Sequence, residues 1–349
     1  MSKYKFRTTL ALASLLVLWS SSSYALFGPG VNFDLSPFSE FIGSFGGDIN
    51  CPKNPSHIPV ILVHGNADSS LGWTKEINNE SSFTKQLKNA GYTNCDIFAV
   101  SYLSISEQVN PTGNYHELKK MTFLKDYIEM VMKSTGQHKV DIVTHSLGVT
   151  LTLETLQRFN LFKNVRKFVS IAGALHGLQS CLKTGSIIPT ISTCAAVINR
   201  KNKEFGFWPD GLLNIANPRM GNSNKGFALF PSLHPNTLFY SISAGLSDEV
   251  ICANSSALVD ASCQYSTSFK NENDLSNNIV AQVHIGKAPN PLIGIAVKTM
   301  GGDIADGIGH IRARSLSGPI VSQMLLTDCK GVQCCDKYTN SCQQQPTQN

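Results

Sequence analysis

The segment Asp141-Ile142-Val143-Thr144-His145-Ser146-Leu147-Gly148 is the most informative part of this sequence about its fold. Its hydrophobic pattern indicates a buried strand that ends at Thr144 and a helix that begins at Leu147. Ser146 therefore stands in a tight strand-to-helix turn, where the residues two before and two after it must be small to avoid a steric clash. Gly148 meets this requirement fully, and Thr144, where glycine is usual, has a short side chain that is sterically compatible. We interpret Ser146 as a nucleophile rather than as an ordinary helix-capping serine.

Strands and helices alternate along the chain on both sides of this turn. Strands are predicted at 58–63, 96–102, 140–144, 165–171 and 237–243, and helices near 82–91, 116–134, 147–159 and 319–326. This alternation predicts an α/β fold with a mostly parallel central sheet flanked by helices. About sixty residues, 178–236, interrupt the pattern and predict a cap-like insertion. A further irregular stretch is predicted over 252–306.

A second motif lies upstream, where the apolar run 58–63 is followed by His64-Gly65-Asn66. Glycine at this point is expected to permit an unusual turn that aims a backbone N–H into the site. The N–H groups of Asn66 and Leu147 are the predicted pair of donors to an oxyanion. The positive end of the helix that begins at Leu147 adds a favourable potential at the same place.

A nucleophilic serine needs a general base, and in this strand–turn–helix context the acid and then the histidine follow the serine along the chain. Four histidines follow Ser146. His310 lies in a Gly-rich loop before the final helix and is the predicted base, because a flexible loop can project an imidazole over the turn. His284, at the end of an alternating segment, is the alternative. His176 is interpreted as a structural or pocket-wall residue, and His234 as part of the insertion.

The acid that orients this imidazole is predicted just after the strand 237–243. Asp248 lies there and is the candidate, since a carboxylate can fix the tautomer of the histidine and stabilise its protonated form. The alternatives for the acid are Glu249, Asp303 and Asp306.

The first 25 residues have the features of a secretory signal peptide. They contain three basic residues and no acidic one, then an apolar run over 10–19 and small residues at Ser23 and Ala25 before a cleavage site. The run is too short to span a bilayer as a stable helix, which requires about 20 residues. An uncleaved membrane anchor is the alternative. No other apolar stretch is long enough, so no transmembrane segment is expected in the mature chain.

The charge balance argues against a nucleic-acid partner. The formal net charge of the 349 residues is +5, with 29 basic and 24 acidic residues. Removing the three basic residues of the signal segment leaves 26 basic residues (29 minus 3) against 24 acidic ones. The mature chain is therefore close to neutral, and it has no dense cluster of lysine and arginine.

All ten cysteines lie after the predicted cleavage site. An even number of cysteines in an exported chain favours disulfides over metal ligands, so no metal is expected. A zinc site formed by the last four is the alternative, although their spacing contains no Cys-x-x-Cys pair. Sequence proximity suggests the pairs Cys51–Cys95, Cys181–Cys194 and Cys252–Cys263, with two further bonds among Cys329, Cys334, Cys335 and Cys342.

The motifs together resemble those of the α/β-hydrolase superfamily and, within it, secreted bacterial class 2 lipases. The length, the insertion and the spacings (102 residues from Ser146 to Asp248, then 62 to His310) are also similar to those of extracellular polyhydroxybutyrate depolymerases. The resemblance covers roughly residues 56–327 and implies an α/β-hydrolase fold with a cap-like insertion. It is carried by His64-Gly65-Asn66, by the box Thr144–Gly148, by Ser170-Ile171-Ala172-Gly173, and by the positions of Asp248 and His310.

The predicted organisation begins with a signal peptide (1–25) and an N-terminal arm (26–55). A catalytic domain (56–327) follows, with a cap-like insertion at about 178–236, and the chain ends in a Cys-rich tail (328–349). The chain is expected to be exported to the extracellular space or the periplasm.

The predicted function is that of a secreted serine carboxylic-ester hydrolase, a lipase or esterase that cleaves lipid esters through an acyl-enzyme on Ser146. It needs no cofactor, and its expected partner is a lipid or polyester substrate presented at an interface. Four aromatic residues of the insertion are expected to form an apolar acyl site or an interfacial contact, or else to pack the insertion against the body: Phe205, Phe207, Trp208 and Phe230. The alternatives are an extracellular polyhydroxyalkanoate depolymerase and a catalytically inactive hydrolase-fold binding protein.

Overall fold

The computed structural model describes residues 41–48, 50–77, 79–110, 116–175, 233–248, 250–251, 267–269, 278–286 and 308–345. The strands in these ranges are β1 (Phe45–Gly46), β2 (Val60–Val63), β3 (Ile97–Val100), β4 (Val140–His145), β5 (Val165–Ile171), β6 (Leu238–Ser243), β7 (Ile279–His284) and β8 (Gln343–Gln344). The α-helices are α1 (Phe83–Asn89), α2 (Ile105–Val109), α3 (Leu118–Thr135), α4 (Leu147–Arg158), α5 (His310–Leu316) and α6 (Gly318–Leu326).

The eight described strands form one sheet in the order β1-β3-β2-β4-β5-β6-β7-β8. Neighbouring strands from β3 to β7 are parallel, and the two outer strands pair antiparallel with β3 and β7. Every residue of β2, β3 and β4 is buried, as a parallel sheet covered on both faces requires. The prediction of an α/β fold with a mostly parallel central sheet is confirmed.

The strand order creates a crevice at the carboxyl end of β2. From β2 the chain passes to β3 on one side, and it then returns to place β4 on the other side of β2. Connections that leave neighbouring parallel strands in opposite directions open a crevice outside the carboxyl ends of those strands. His64 follows β2 directly and Ser146 follows β4 directly, so the topology places the two sequence motifs side by side.

Helices cover both faces of the sheet. The apolar stripes of α3 and α4 pack into the core on one face, and the apolar side chains of α1, α5 and α6 pack into the core on the other. Gly136 ends α3 in the left-handed conformation, with φ of 72°, which glycine adopts without a steric penalty. At the end of α6, the buried Lys167 ammonium donates to the carbonyl oxygens of Met324 and Thr327 at 2.8 and 2.6 Å. This cation satisfies helix carbonyls that have no intrahelical donor.

Five described elements lie outside the predicted strands and helices: α2, α5, β1, β7 and β8. The helices α2 and α5 contain only 5 and 7 residues, and helices this short depend on tertiary packing rather than on their own propensity. His310 is the first residue of α5, so the expectation that it lies in a loop is wrong. Strand β7 lies in the stretch predicted to be irregular, and its pairing with β6 and β8 supplies the backbone hydrogen bonds that stabilise it.

Six cysteines lie in the described part of the chain, and all six form disulfides. Cys51 is bonded to Cys95, as sequence proximity suggests. In the tail Cys329 is bonded to Cys334 and Cys335 to Cys342, which confirms two bonds among the last four cysteines. The alternative of a zinc site there is wrong, because these four sulfur atoms are held in disulfides. The predicted pairs Cys181–Cys194 and Cys252–Cys263 lie outside the described residues.

The C-terminal tail packs against the edge of the sheet. After the 3-10 helix Gly331–Cys335, the chain adds β8 alongside β7.

No helix within the described ranges has the length and apolar character needed to cross a membrane.

Candidate active site

Ser146 occupies the turn between β4 and α4 with φ of 54° and ψ of −126°. A non-glycine residue rarely adopts this backbone conformation, which costs on the order of 1–3 kcal/mol and persists only where the surroundings impose it. The Ser146 N–H donates to the Ile171 carbonyl oxygen at 3.0 Å and so anchors the turn to the end of β5. The strained turn projects the hydroxyl outward from the carboxyl end of the sheet, as a nucleophile requires.

The residues on either side of Ser146 explain why the turn can form. A side chain at Gly148 would overlap the His64 carbonyl oxygen and lie 3.0 Å from the Val63 carbonyl oxygen. Only glycine therefore allows α4 to start so close to the end of β2. Thr144 is fully buried, and its hydroxyl donates to the Val169 carbonyl oxygen at 3.0 Å. Threonine is compatible with this position because its one polar group is satisfied within the sheet.

Gly65 is needed for a reason that differs from the predicted one. Its φ does not lie in the left-handed region, which is instead adopted by Ala67 with φ of 48°. A Cβ on Gly65 would lie 2.8 Å from the Cβ of Ser146 and 2.9 Å from Nδ1 of His145. Glycine thus permits the loop after β2 to pass directly against the turn that carries Ser146.

The structure brings Ser146, His310 and Asp248 together from three distant parts of the sequence. Nε2 of His310 lies 2.9 Å from Oγ of Ser146. Nδ1 of the same ring lies 2.9 and 3.0 Å from the two carboxylate oxygens of Asp248. The three residues are 8%, 4% and 1% exposed, so their mutual hydrogen bonds are shielded from water.

The carboxylate of Asp248 is itself held in place by backbone donors. The N–H groups of Val250 and Ile251 donate to Oδ1 of Asp248 at 3.0 and 2.8 Å. Because a carboxylate can only accept hydrogen bonds, it requires a proton on Nδ1 of His310. Nε2 of the neutral ring then accepts the proton of the Ser146 hydroxyl. The arrangement has the order nucleophile, base and orienting acid that activates a serine for attack on a carbonyl.

His64 holds the loop that follows β2. Its Nε2 accepts the N–H of Tyr102 at 3.3 Å, so the neutral ring carries its proton on Nδ1 and donates it to the Gly65 carbonyl oxygen at 2.8 Å. The Tyr102 hydroxyl donates to the His64 carbonyl oxygen at 3.0 Å. Burial lowers the pKa of His64 to about 4, and the nearby Asp68 carboxylate acts in the opposite direction. His64 is therefore neutral at ordinary pH.

His145 contacts the ring of His310. The two ring centroids are 4.8 Å apart, and Nε2 of His145 donates to the His310 carbonyl oxygen at 3.1 Å. Burial, followed by the charge of His310, lowers the pKa of His145 well below its ordinary value. His64 and His145 both lie within the sequence motifs, but their contacts with Gly65, Tyr102 and His310 could not be predicted from the sequence.

The two predicted oxyanion donors lie next to Ser146 in the fold. Leu147 is buried and is the first residue of α4, so its N–H has no acceptor within the helix. Asn66 is half-buried and directly follows Gly65, whose backbone lies against the Ser146 turn. Both N–H groups thus belong to segments that meet at the nucleophile.

The alternative histidines lie elsewhere. His284 ends β7, and in the sheet it is the register partner of Gln343 of β8. Burial lowers its pKa, while a hydrogen bond with the Gln343 side chain acts the other way. His234 accepts the Asn236 N–H through Nδ1 at 3.2 Å. Other candidates lie outside the described residues: His176, Glu249, Asp303, Asp306, Phe205, Phe207, Trp208 and Phe230.

Comparison with protein families gives one match, to the family described as lipase (class 2), over residues 57–203. These residues include both the loop after β2 and the Ser146 turn. Fewer than half of the residues of the chain lie in the matched segment.

Several solved structures are similar at low identity. The Bacillus licheniformis lipase BlEst2 in its propeptide form is 18% identical with a TM-score of 0.38, and the match covers 57% of this chain and 38% of that one. Aspergillus fumigatus lipase B is 14% identical with a TM-score of 0.47, and the match covers 89% of this chain and 62% of that one. The type II thioesterase BorB from the borrelidin biosynthetic cluster is 13% identical with a TM-score of 0.38, and the match covers 80% of this chain and 96% of that one. This chain therefore spans well under half the length of the propeptide form of BlEst2.

Proposed function

We propose that the chain is a serine hydrolase of carboxylic esters, of the lipase and esterase type of α/β-hydrolases that the family match indicates. The observation that carries the proposal is the continuous hydrogen-bonded chain from Ser146 through His310 to Asp248, with distances of 2.9, 2.9 and 3.0 Å. Three side chains separated by 102 and 62 residues in sequence converge in the order that nucleophilic catalysis requires.

The proposed first half-reaction forms an acyl-enzyme. Nε2 of His310 takes the proton of the Ser146 hydroxyl as Oγ bonds to the carbonyl carbon of the ester. The resulting tetrahedral oxyanion accepts hydrogen bonds from the N–H groups of Asn66 and Leu147. The protonated His310 then gives its proton to the departing alcohol as the carbon–oxygen bond of the ester breaks. Asp248 stabilises the imidazolium and keeps Nε2 directed at Ser146.

The second half-reaction returns the enzyme to its starting state. His310 takes a proton from water as the water oxygen attacks the acyl carbonyl, and the same two N–H groups hold the second oxyanion. The ring then returns the proton to Oγ of Ser146, which leaves as the free hydroxyl while the carboxylic acid departs. Every proton in this cycle moves between this chain, the substrate and water, so no cofactor takes part.

The proposed substrates are esters of apolar acyl chains, with a lipid ester preferred over a polyester. The family match supports the lipid ester, while the polyhydroxyalkanoate alternative uses the same chemistry on a solid polymer. We also propose that the chain is exported, because the N-terminal segment has the pattern of a signal peptide and three disulfides lie in the described residues.

Labelling of Ser146 tests the proposed mechanism. The wild-type protein should hydrolyse p-nitrophenyl butyrate and react covalently with a fluorophosphonate probe. Ser146→Ala should abolish labelling and lower kcat by about 10⁴-fold or more. Ser322→Ala is the matched control, since Ser322 is also a buried serine but lies in α6, where its hydroxyl donates to the Gly318 carbonyl oxygen. An unlabelled wild-type protein would support the inactive binding protein, and labelling retained in Ser146→Ala would place the nucleophile elsewhere.

A substrate panel separates the lipid from the polyester. The wild-type enzyme should release fatty acid from emulsified triglyceride at a higher rate than it releases hydroxybutyrate from amorphous polyhydroxybutyrate. The reverse order would assign the polyester as the substrate.

A further inference from the structure

An ion pair between the half-buried Asp68 and the buried Arg314 lies outside the three residues of the proposed mechanism. Arg314 is on α5, four residues after His310, so the two side chains project from the same side of the helix. Nη1 of Arg314 donates to Oδ2 of Asp68. Asp68 lies in the loop after β2, two residues beyond Asn66. The pair therefore joins the helix that begins with the proposed base to the loop that carries a proposed oxyanion donor.

Neighbouring residues enclose this ion pair. Arg314 is 4% exposed, and its guanidinium carbon lies 5.6 Å from the centre of the buried Trp73 ring, a cation–π contact. A side chain at Gly72 would collide with the Asp68 carboxylate and lie 2.7 Å from Nη1 of Arg314. Because a buried charge is costly unless it is paired, the arginine is held at this place by Asp68.

The loop between Gly65 and Asp68 requires such a support. Ala67 has φ of 48°, a left-handed conformation that costs an alanine about 1–2 kcal/mol. The His64 hydrogen bonds hold the start of this loop, and the Asp68–Arg314 pair holds its end. Asn66 lies between the two supports. Both ends of the short segment that contains Asn66 are therefore held by hydrogen bonds or by an ion pair.

We propose that Asp68 and Arg314 are positioning residues that set the place of the Asn66 N–H relative to His310 and Ser146. This inference rests on the proposed function, because it assumes that Asn66 donates to an oxyanion. Oxyanion donors stabilise the transition state only when they are held in place before the reaction. A displacement of about 1 Å at a reacting centre can cost about 100-fold in rate. The pair would act on the transition state and leave the binding of the ester ground state nearly unchanged.

Three variants test the pair: Arg314→Met, Asp68→Leu, and the double variant that carries both. Each is assayed with p-nitrophenyl butyrate at a temperature at which circular dichroism shows that it is folded. In Arg314→Met, kcat should fall about 10- to 100-fold while KM stays within about threefold, because the lost interaction acts mainly in the transition state. Arg314→Lys keeps the charge and should recover part of kcat.

The double variant distinguishes positioning from simple stability. Removing both charges leaves no unpaired buried ion, so its melting temperature should rise above that of either single variant. Its kcat should nevertheless remain about tenfold or more below that of the wild type, because the loop and the helix are no longer joined. If kcat returns to the wild-type value in the double variant, the pair has only a structural role and the inference is overturned.

Arg312→Met is the matched control. Arg312 is on the same helix and donates to Glu80 at 2.9 Å, but the segment that carries Glu80 holds none of the proposed catalytic groups. Its kcat should stay within about threefold of the wild type, as for a mutation outside the site. Equal losses in Arg312→Met and Arg314→Met would overturn the inference. Absence of fluorophosphonate labelling in the wild-type protein would instead overturn the proposed function.

Discussion

The Ser146 turn and the C-terminal tail are each held in one conformation, but by different kinds of contact. At the turn the backbone is strained, with φ of 54° at Ser146, and close contacts with Gly65 and Gly148 leave no room for side chains. In the tail two disulfides and a set of buried hydrogen bonds hold the chain. Gln345 accepts the Ser241 hydroxyl at 3.0 Å, donates to the Thr267 hydroxyl at 2.6 Å, and is 1% exposed.

The strained turn and the hydrogen-bonded tail contribute differently to catalysis and to stability. Strain at the turn is useful only if it orients a reactive group, since it lowers stability and persists only where the surrounding structure imposes it. The tail adds β8 to the sheet and so covers the exposed edge of β7, which would otherwise be free to pair with another chain. Mutations near Ser146 should therefore reduce catalysis more than stability, and mutations in the tail should do the reverse.

The largest effect is expected from Asp248→Asn. By the logic of the serine triad, kcat should fall by about 10⁴-fold, because an amide cannot hold the imidazole in the required tautomer. The melting temperature should change little, since the amide keeps the shape of the carboxylate. Steady-state kinetics and circular dichroism measure the two quantities, with the α3 variant Asp126→Asn as the control. A loss below tenfold would assign the orienting acid to another residue, with Glu249 the first candidate.

The second effect concerns pH and the buried His64. The unfolded imidazole takes up a proton near pH 6.5, whereas the folded one does so only near pH 4. Between these values the unfolded state binds more protons, so the free energy of unfolding should fall by about 3 kcal/mol as the pH drops from 6.5 to 4. Above pH 6.5 this contribution should be constant.

Urea unfolding at several pH values measures how the free energy of unfolding changes with pH, which is the slope compared here. The proteins are the wild type, His64→Gln and the control His138→Gln, which changes an exposed histidine. The slope between pH 6.5 and 4 should be smaller in His64→Gln and unchanged in His138→Gln. Equal slopes in all three proteins would show that His64 does not couple folding to pH.

The third effect is expected from Gly148→Ala, which tests the close contact between α4 and the end of β2. The added methyl group overlaps the His64 carbonyl oxygen, so the free energy of unfolding should fall by about 2 kcal/mol. The same shift would displace the loop that carries Asn66, and kcat should fall about 100-fold. Urea unfolding and steady-state kinetics measure the two losses. A variant with full activity would show that the loop is not held at this contact.

The smallest effect is expected in the tail, from Gln345→Ala. This variant leaves the buried Ser241 and Thr267 hydroxyls without the partner described above, which should cost about 1 kcal/mol of stability. Its kcat should equal that of the wild type, because the residue lies in the tail and not in a segment that carries Ser146, Asp248 or His310. Loss of kcat without loss of stability would contradict the proposed division between the two regions.

Much of the fold could be predicted because its pattern is local. The apolar runs that became β2, β4 and β5 and the helical periodicity of α3 are readable in short windows. Strand β7 is less clear in a short window: the alternation that ends at His284 spans only a few residues, and the strand is stabilised by pairing with β6 and with β8, which lies about sixty residues further along the chain. For α5, the Gly-rich sequence before it favoured a loop, and packing of Ala313 and Arg314 into the core decided otherwise.

In the candidate site, too, some features follow from local sequence patterns and others from contacts between distant segments. Ser146 could be identified from its neighbours, and Asp248 and His310 from their order and position along the chain. The supporting contacts of the site could not be predicted, because His64, His145 and Arg314 act through partners that are distant in sequence. The role of Gly65 was predicted as conformational freedom, but the structure assigns it to close approach against Ser146.

The alternation of strands and helices, and the turn of small residues that carries a serine between them, follow from the amino-acid sequence alone. These are properties of periodicity and steric size, which act over a few residues. The distance between Asp248 and His310, the lack of room for side chains at Gly65 and Gly148, and the pairing of Asp68 with Arg314 are instead set by the tertiary structure. These properties depend on contacts between segments that are far apart in the chain, and such contacts exist only once the sheet has formed.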